Sequence, residues 1–315
     1  TSRRSGVGWR QFWTSSRRYA RSLVADRRSL FLILATGPVL GLVLLLRLPT
    51  DQLRSLAPDE LPSFSRASAP LMLLALAMTQ LGINLSARQI VRELPQFRRE
   101  RAIGLSIPAY VASKFVVLAG VGAVQALLCV AIALARQGGP DEGAILSSGQ
   151  AELVVVFFVT WLAGMTLGLL CSAIATSEAR LNLVLPAILA FQTLAVTGTA
   201  VASLPSAPVL DQSEYVASAS WGFNAAASTV ELNRLNALND ALINADTAAR
   251  GIPTGTIVDR LNPLNLGDPA QIAPRGNPDF DHDAGTWWRA MFMLVGLTVV
   301  ALAATALALR RYAPL

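Results

Sequence analysis

Few residues in this chain of 315 have side chains that could do chemistry. There is one lysine, Lys114, one histidine, His282, and two cysteines, Cys129 and Cys171. A Walker A phosphate loop needs G-x-x-x-x-G-K-[ST]. Lys114 follows Ser113 and precedes Phe115, so these residues hold no nucleotide-binding loop. His282 lies between Asp281 and Asp283 in a polar stretch, which reads as a solvated loop in preference to a metal site. Both cysteines sit inside apolar runs and read as small packing residues, with no disulfide framework. No nucleophile–base pair and no paired carboxylates are visible, so no catalytic residue and no metal ligand is assigned. A proton relay across a membrane would need Asp, Glu or His within the spans, and none lies deep in one. Energy must enter from elsewhere, or not at all.

The charge that remains is concentrated in residues 88–106, RQIVRELPQFRRERAIGLS. This connector has five arginines (Arg88, Arg92, Arg98, Arg99, Arg101) and two glutamates (Glu93, Glu100), and it lies between two long apolar runs. Its pattern predicts a short, partly helical cytoplasmic connector. Two readings stand on the residues alone: a solvated positive-inside loop that fixes topology, or a docking surface.

The elements that position it are set by hydropathy. The chain is 53% hydrophobic and 15% charged, with a mean hydropathy of +0.48, too apolar for a soluble domain of this length. It reads as an all-α integral membrane protein. The first residue is Thr1 and no signal-peptide pattern precedes the first span, so a trimmed or partial chain is expected. Of 26 basic residues 25 are arginine, which with the many alanines fits a high-GC coding bias. The net charge of +6 is distributed as a membrane protein distributes it, and no nucleic-acid partner is expected.

A spanning helix needs about 20 mostly apolar residues, and six stretches qualify: 29–46, 69–85, 107–134, 153–175, 183–204 and 287–309. Gly37-Pro38 should bend the first. Ahead of it, residues 9–24 put Trp9, Phe12, Trp13, Tyr19, Ala20, Leu23 and Val24 near one helical face and Arg10, Arg17, Arg18 and Arg21 on the other. This is the pattern of a helix lying in the membrane interface, with a partner-binding helix as the other reading. Polar Thr79, Gln80 and Asn84 in the second span serve helix–helix hydrogen bonding or ligand contact. Tyr110 and Lys114, one turn apart, fit an interfacial anchor whose ammonium snorkels to the headgroups.

The predicted segments are therefore 1–28, a cytoplasmic tail and interfacial helix; 29–204, five spans with the connector; 205–284, an outer segment; and 285–315, the sixth span with a cytoplasmic C-terminus. Residues 205–284 contain seven prolines, and Leu235, Leu238 and Leu242 stand at helical spacing within 230–249. So long a structureless loop would be unusual, and a partly helical outer subdomain is expected. Charge tests this topology. The inner segments hold 16 arginines against four acids, and the outer ones nine basic against 16 acidic residues. Six spans with both termini in the cytoplasm of a bacterial plasma membrane satisfy that asymmetry.

In layout, the interfacial helix, the R-E-R-A-I-G run of the connector, the Y-x-x-x-K entry to the third span and the large loop before the sixth resemble the membrane domain of type-2 ABC exporters. The G-subfamily-like half-transporters are the nearest group. The likeness covers nearly the whole chain, and its most specific parts are residues 93–114 and Trp221-Gly222-Phe223. It implies that two copies dimerise around a central cavity, while ATP and magnesium bind a nucleotide-binding domain in the same polypeptide or another chain. This chain itself would bind no cofactor.

The resemblance also implies roles for particular residues. The connector becomes a coupling helix on the ATPase, with Glu93 and Glu100 as the family's two glutamates, Arg99 and Arg101 flanking the second, and Phe97 between them. Breaking a partly buried ion pair there leaves an unpaired charge, at about 3–5 kcal/mol. Trp9, Phe12, Trp13 and Arg17 fall in the connecting helix, and Trp221, Gly222 and Phe223 in a re-entrant element. The cavity wall would draw on Met78, Leu81, Gln192, Thr193 and Val196, residues that packing alone explains almost as well. Such a wall suits a lipid or amphipathic cell-envelope compound, with membrane lipid as the surrounding partner. The family's familiar eukaryotic members carry loop cysteines, and this loop has none. The expected function is the membrane half of an ATP-driven exporter; the alternative is a non-transporting anchor or receptor acting through its outer subdomain.

Overall fold

A computed structural model describes residues 2–48, 53, 68–137, 140, 142–200, 212–234 and 278–312. Within them lie nine α-helices and a 3₁₀ turn, and no strand. The helices are α1 (Ser2–Ala25), α2 (Arg27–Arg47), α3 (Ser68–Ser86), α4 (Leu94–Ala102), α5 (Ile107–Leu134), α6 (Gly149–Ile174), α7 (Glu178–Ala200), α8 (Ser218–Thr229) and α9 (Ala284–Arg310). Six of them, α2, α3, α5, α6, α7 and α9, are long and apolar enough to cross a membrane. At 1.5 Å per residue the shortest reaches about 28 Å, close to the hydrocarbon thickness of about 30 Å. Their bounds agree with the expected spans to within a few residues, except that α7 is described only to Ala200, short of residue 204. Of the predicted leucine-spaced stretch 230–249, residues 235–249, with Leu235, Leu238 and Leu242, lie outside the described residues.

Local chemistry sets the starts. Asp26 caps α2 by accepting from the Ser29 N–H at 3.1 Å, and Ser148 caps α6. Asp283 caps α9 through the Gly285 and Thr286 amides, so orphan N–H groups find acceptors at each. Proline in the first turn of α4 and of α5 loses no needed donor there. α2 runs helical through Pro38, and Gln125 of α5 donates to the Ile33 carbonyl and Thr36 hydroxyl one turn before it.

α3 and α6 form the inner pair: 61% of each apolar window is buried, against 17% for α2. Small residues let the two backbones touch. A Cβ on Gly164 would stand 2.9 Å from the Thr79 Cα, one on Gly168 2.6 Å from the Ile83 carbonyl, and Gly82 leans on the Trp161 carbonyl. Gly37 and Gly41 of α2 approach α5 in the same manner. Without a hydrophobic drive between helices in lipid, such close van der Waals contact is a main source of association. Exposed Phe31 and Leu32 on α2, Leu183 and Leu194 on α7 and Phe292 and Val300 on α9 clothe the outside in apolar groups.

α8, at 12 residues about 18 Å long, is too short to span. Every one of its residues is buried, and it packs against α3, α6, α7 and α9. Gln192 of α7 accepts from the Ala219 amide at its start. At its other end Thr229 donates to Glu152 Oε1 at 2.6 Å. Glu152, one of the 16 acids counted for the outer segments, is wholly buried in the first turn of α6. Its carboxylate also accepts from the amides of Ala144, Ile145 and Leu146, which replace the water it has lost.

Gly164→Leu should force α3 and α6 apart and lower stability by about 1–3 kcal/mol, the usual range for overpacking. Gly120→Leu, at a position with nothing within 4 Å of a built Cβ, should leave it unchanged. Thermal unfolding of the two purified variants in one detergent checks the contrast.

Candidate functional site

The connector is fixed before it becomes a helix. Ser172 of α6 accepts from the Ile90 and Val91 amides at 2.9 and 3.0 Å. Arg88 donates to Asn182 at 3.1 Å, and Arg92 pairs with Glu178 at 3.3 Å. α4 then buries Leu94 and Phe97 and leaves its other face exposed. It ends at Gly104, whose φ of +106° is a left-handed conformation that an L side chain rarely adopts. The Gln11 amide of α1 bridges this reversal, donating to the Gly104 carbonyl at 3.1 Å and accepting from the Ser106 amide at 3.0 Å.

Below α4 lies a charged junction of three elements. Lys114, expected to snorkel, is instead 2% exposed, and its ammonium stands 2.6 Å from Glu93 Oε1. That contact is an ion pair with poor hydrogen-bond alignment. The ammonium also sits 3.3 Å from the centre of the Tyr19 ring, where the ring's negative face attracts it. Tyr110 lies alongside, tilted against Phe97 at 4.8 Å between centroids, its hydroxyl 3.5 Å from Glu93. Glu93 and Tyr19 offer compensation within the protein, so the side chain has no need to reach the headgroups. Burial, then the nearby Glu93 charge, pushes the Tyr19 phenol well above its usual range. The hydroxyl stays neutral and donates to Gln89 at 2.7 Å.

Glu100 pairs with Arg18 of α1 at 2.6 Å and accepts from Gln96 at 2.9 Å. Burial raises its carboxyl, but the Arg18 and Gln96 hydrogen bonds outweigh that and hold it below the ordinary carboxylate value. Glu100 therefore adds stability at neutral pH that is lost as pH falls through its depressed value. Arg99 is exposed, and Arg101 donates to the Leu105 carbonyl at 2.7 Å. Neither of these flanking arginines is the partner of Glu100.

On α1, exposed Trp9 and Trp13 cluster with Phe12, the three ring centroids 5.3–6.3 Å apart, and Arg17 is exposed as well. Tyr19 turns inward, so the aromatic face read from the sequence splits in two. Met78, Leu81 and Val196 are buried within the chain, and Gln192 spends its carbonyl on α8. Thr193 is part-buried and bonds back to the Leu189 carbonyl. Trp221, Gly222 and Phe223 all lie in α8: Trp221 donates to the Tyr215 carbonyl at 3.1 Å, Gly222 abuts Thr160, and Phe223 meets Phe280 edge to face.

Sequence reasoning overlooked Arg18 and Tyr19 as junction residues, and also Tyr312. Arg98 of α4 and Arg311 both stack on the Tyr312 ring at 4.7 Å. Arg311 also donates to the Ala173 and Ile174 carbonyls at the end of α6. One signal was available: a lone lysine among 25 arginines marks a place where a compact ammonium suits better than a broad guanidinium. Among the described residues no group of three or more His, Cys, Asp or Glu could hold a metal. The junction joins α1, α4 and α5 through the Arg18–Glu100 and Glu93–Lys114 pairs and the Tyr19 ring.

Comparison with known proteins agrees with this architecture. Residues 46–307 match the model of the ABC-2 family transporter proteins. The chain is 31% identical over 293 residues to the ABC transporter ATP-binding/permease protein Rv1747 of Mycobacterium tuberculosis. That match covers 93% of this chain and 30% of the relative, so the chain spans less than a third of the relative's length.

Removing either member of the Glu93–Lys114 pair strands the other. Lys114→Met or Glu93→Gln alone should each cost up to about 3–5 kcal/mol, the lower end applying because Glu93 is a third exposed. The double variant should recover much of that loss, and a double-mutant cycle on unfolding measures the coupling.

Proposed function

The chain belongs to the ABC-2 transporter family, and from that premise we propose that it is the membrane domain of an ATP-driven exporter. Two copies would enclose a central pathway for a lipid-like or amphipathic cell-envelope compound. ATP and magnesium would act on a nucleotide-binding domain in the same polypeptide or another chain. The printed name of the mycobacterial relative joins ATP-binding and permease functions in one protein, which supports that pairing.

The observation that carries the coupling role is the double tether of α4. Glu100 holds it to α1 through Arg18, and Glu93, at its N-cap, holds it to α5 through Lys114. A push on the exposed face of α4, where Arg99 stands, would pass through both tethers into a spanning helix. The excess of arginine on the segments at this end supports its placement in the cytoplasm of a bacterial plasma membrane, with both termini there. Exposed Trp9 and Trp13 with exposed Arg10 and Arg17 support α1 lying in the membrane interface as a connecting helix. Met78, Leu81, Gln192 and Val196, the wall implied by the resemblance, are buried within the single chain and would meet a cargo only if α3 and α7 rearranged within the protomer; their mostly apolar character would then suit an amphipathic compound.

Arg18 is half exposed, so losing its pair should cost under about 1 kcal/mol of stability. Glu100→Arg should therefore fold and reach the membrane, yet lose substrate-stimulated ATP hydrolysis in the purified full-length dimer. The charge-swapped Arg18→Glu/Glu100→Arg pair should restore part of it. Stimulation that persists unchanged in Glu100→Arg would rule out the coupling role.

A further inference from the structure

The end of α9 meets the connector through an aromatic ring. Tyr312 lies just beyond α9, and the guanidinium carbons of Arg98 and Arg311 each stand 4.7 Å from its ring centre. Arg311 has other partners, since it also donates to the Ala173 and Ile174 carbonyls. Those carbonyls belong to the end of α6, where backbone acceptors are left over and the helix carries partial negative charge. Arg98 has nothing comparable. Among the described residues it pairs with no carboxylate and makes no hydrogen bond, so the ring is its partner. A planar guanidinium suits the face of an aromatic ring better than an ammonium does. The Tyr312 hydroxyl is buried without a hydrogen-bond partner. An orphaned hydroxyl is a cost, so what this position gains comes from the ring.

The helix that the ring joins gives the contact its consequence. α9 has 27 residues, about 40 Å of helix, and it packs against both α6 and α8. At its far end Trp287 is buried, and the turn before it sets Phe280 against Phe223 of α8. The two charge pairs of the connector reach α1 and α5, and neither reaches α9.

We propose that Tyr312 is a positioning residue that ties α9 to the connector, so that a displacement of α4 moves the sixth span as well as α5. Arg98 over the ring is the tie, and Arg311 seats the ring at the end of α6. This inference rests on the reading of α4 as the element that receives force from an ATPase.

Hydrogen–deuterium exchange of the purified full-length transporter tests it, compared without nucleotide and after trapping with ATP and orthovanadate. Two segments are read: residues 110–114 of α5, and the last turn of α9, where the Tyr312 amide donates to the Leu309 carbonyl at 3.1 Å. Trapping should change exchange in both segments of the wild type. Without nucleotide, Tyr312→Leu should speed exchange in the last turn of α9 by about two- to fivefold, the worth of one cation–π contact at an exposed site. On trapping, that turn should no longer respond in Tyr312→Leu, while α5 still does. Arg98→Gln, at an exposed position, should behave like Tyr312→Leu. Tyr312→Phe keeps the ring and should behave as wild type. A trapping response of α9 that survives in Tyr312→Leu, or one that is lost in Tyr312→Phe, overturns the proposal. Trapping that changes α5 alone in the wild type overturns it too, and leaves the coupling role standing. No response in either segment overturns the coupling role, and this inference with it.

Discussion

The junction depends on a charge in an expensive place. An ammonium inside a spanning helix costs several kcal/mol unless it finds compensation, and Lys114 finds it in Glu93 and the face of Tyr19. Each compensating group comes from a different element: the turn before α4, and α1. The three cannot move apart independently without exposing a bare charge to a poorly solvating environment. The hydrophobic contacts around it, chiefly Phe97 on Tyr110, exclude water and so strengthen the pairing. A guanidinium would not fit so close over the ring while meeting Glu93 head on, which accounts for the one lysine in a chain that otherwise uses arginine.

The two ends of the bundle solve the same problem differently. At the junction, buried charge is matched by opposite charge and by a ring. At the far end Glu152 is matched by three backbone amides and a hydroxyl, all neutral. Carboxylate with amide donors is rigid, because each donor belongs to a backbone already held by α6 or its loop. α8 is fixed at both ends in this way, by Glu152 through Thr229 and by Gln192 through Ala219. One end thus surrounds a single carboxylate with neutral donors, and the other sets opposite charges against each other.

The spans were legible because the bilayer demands long apolar runs, and little else in a sequence mimics them. The connector was legible as a charged helix between two spans, and its glutamates as the residues to watch. Their partners were not. Helical periodicity sorts residues onto faces but says nothing of which neighbour meets each face, so Tyr19 was grouped with Trp9 and Trp13 although it turns the other way. Lys114 was placed at the headgroups for the same reason: the rule for a terminal lysine takes no account of a carboxylate 21 positions earlier that the fold returns to it. Glu152 entered the charge count only as one of the outer acids at a span end, and sequence position does not show that a loop folds back over it and buries it. Met78, Leu81 and Val196 show the reverse limit, since an apolar residue on an inner helix looks alike whether it lines a path or fills a core.

Gln11 holds the reversal at Gly104 with an uncharged amide, using both ends of one side chain. Salt weakens the exposed Arg18–Glu100 pair, which at 2.6 Å lies well inside the Debye length of about 8 Å at physiological salt and so is only partly screened there, but it leaves the Gln11 bridge untouched. α1 is therefore moored to the connector by contacts of two kinds: an ion pair that responds to its electrolyte, and the uncharged bonds of Gln11 and of the Tyr19 hydroxyl on Gln89, which do not. In concentrated salt the first would loosen and leave the helix seated on the others.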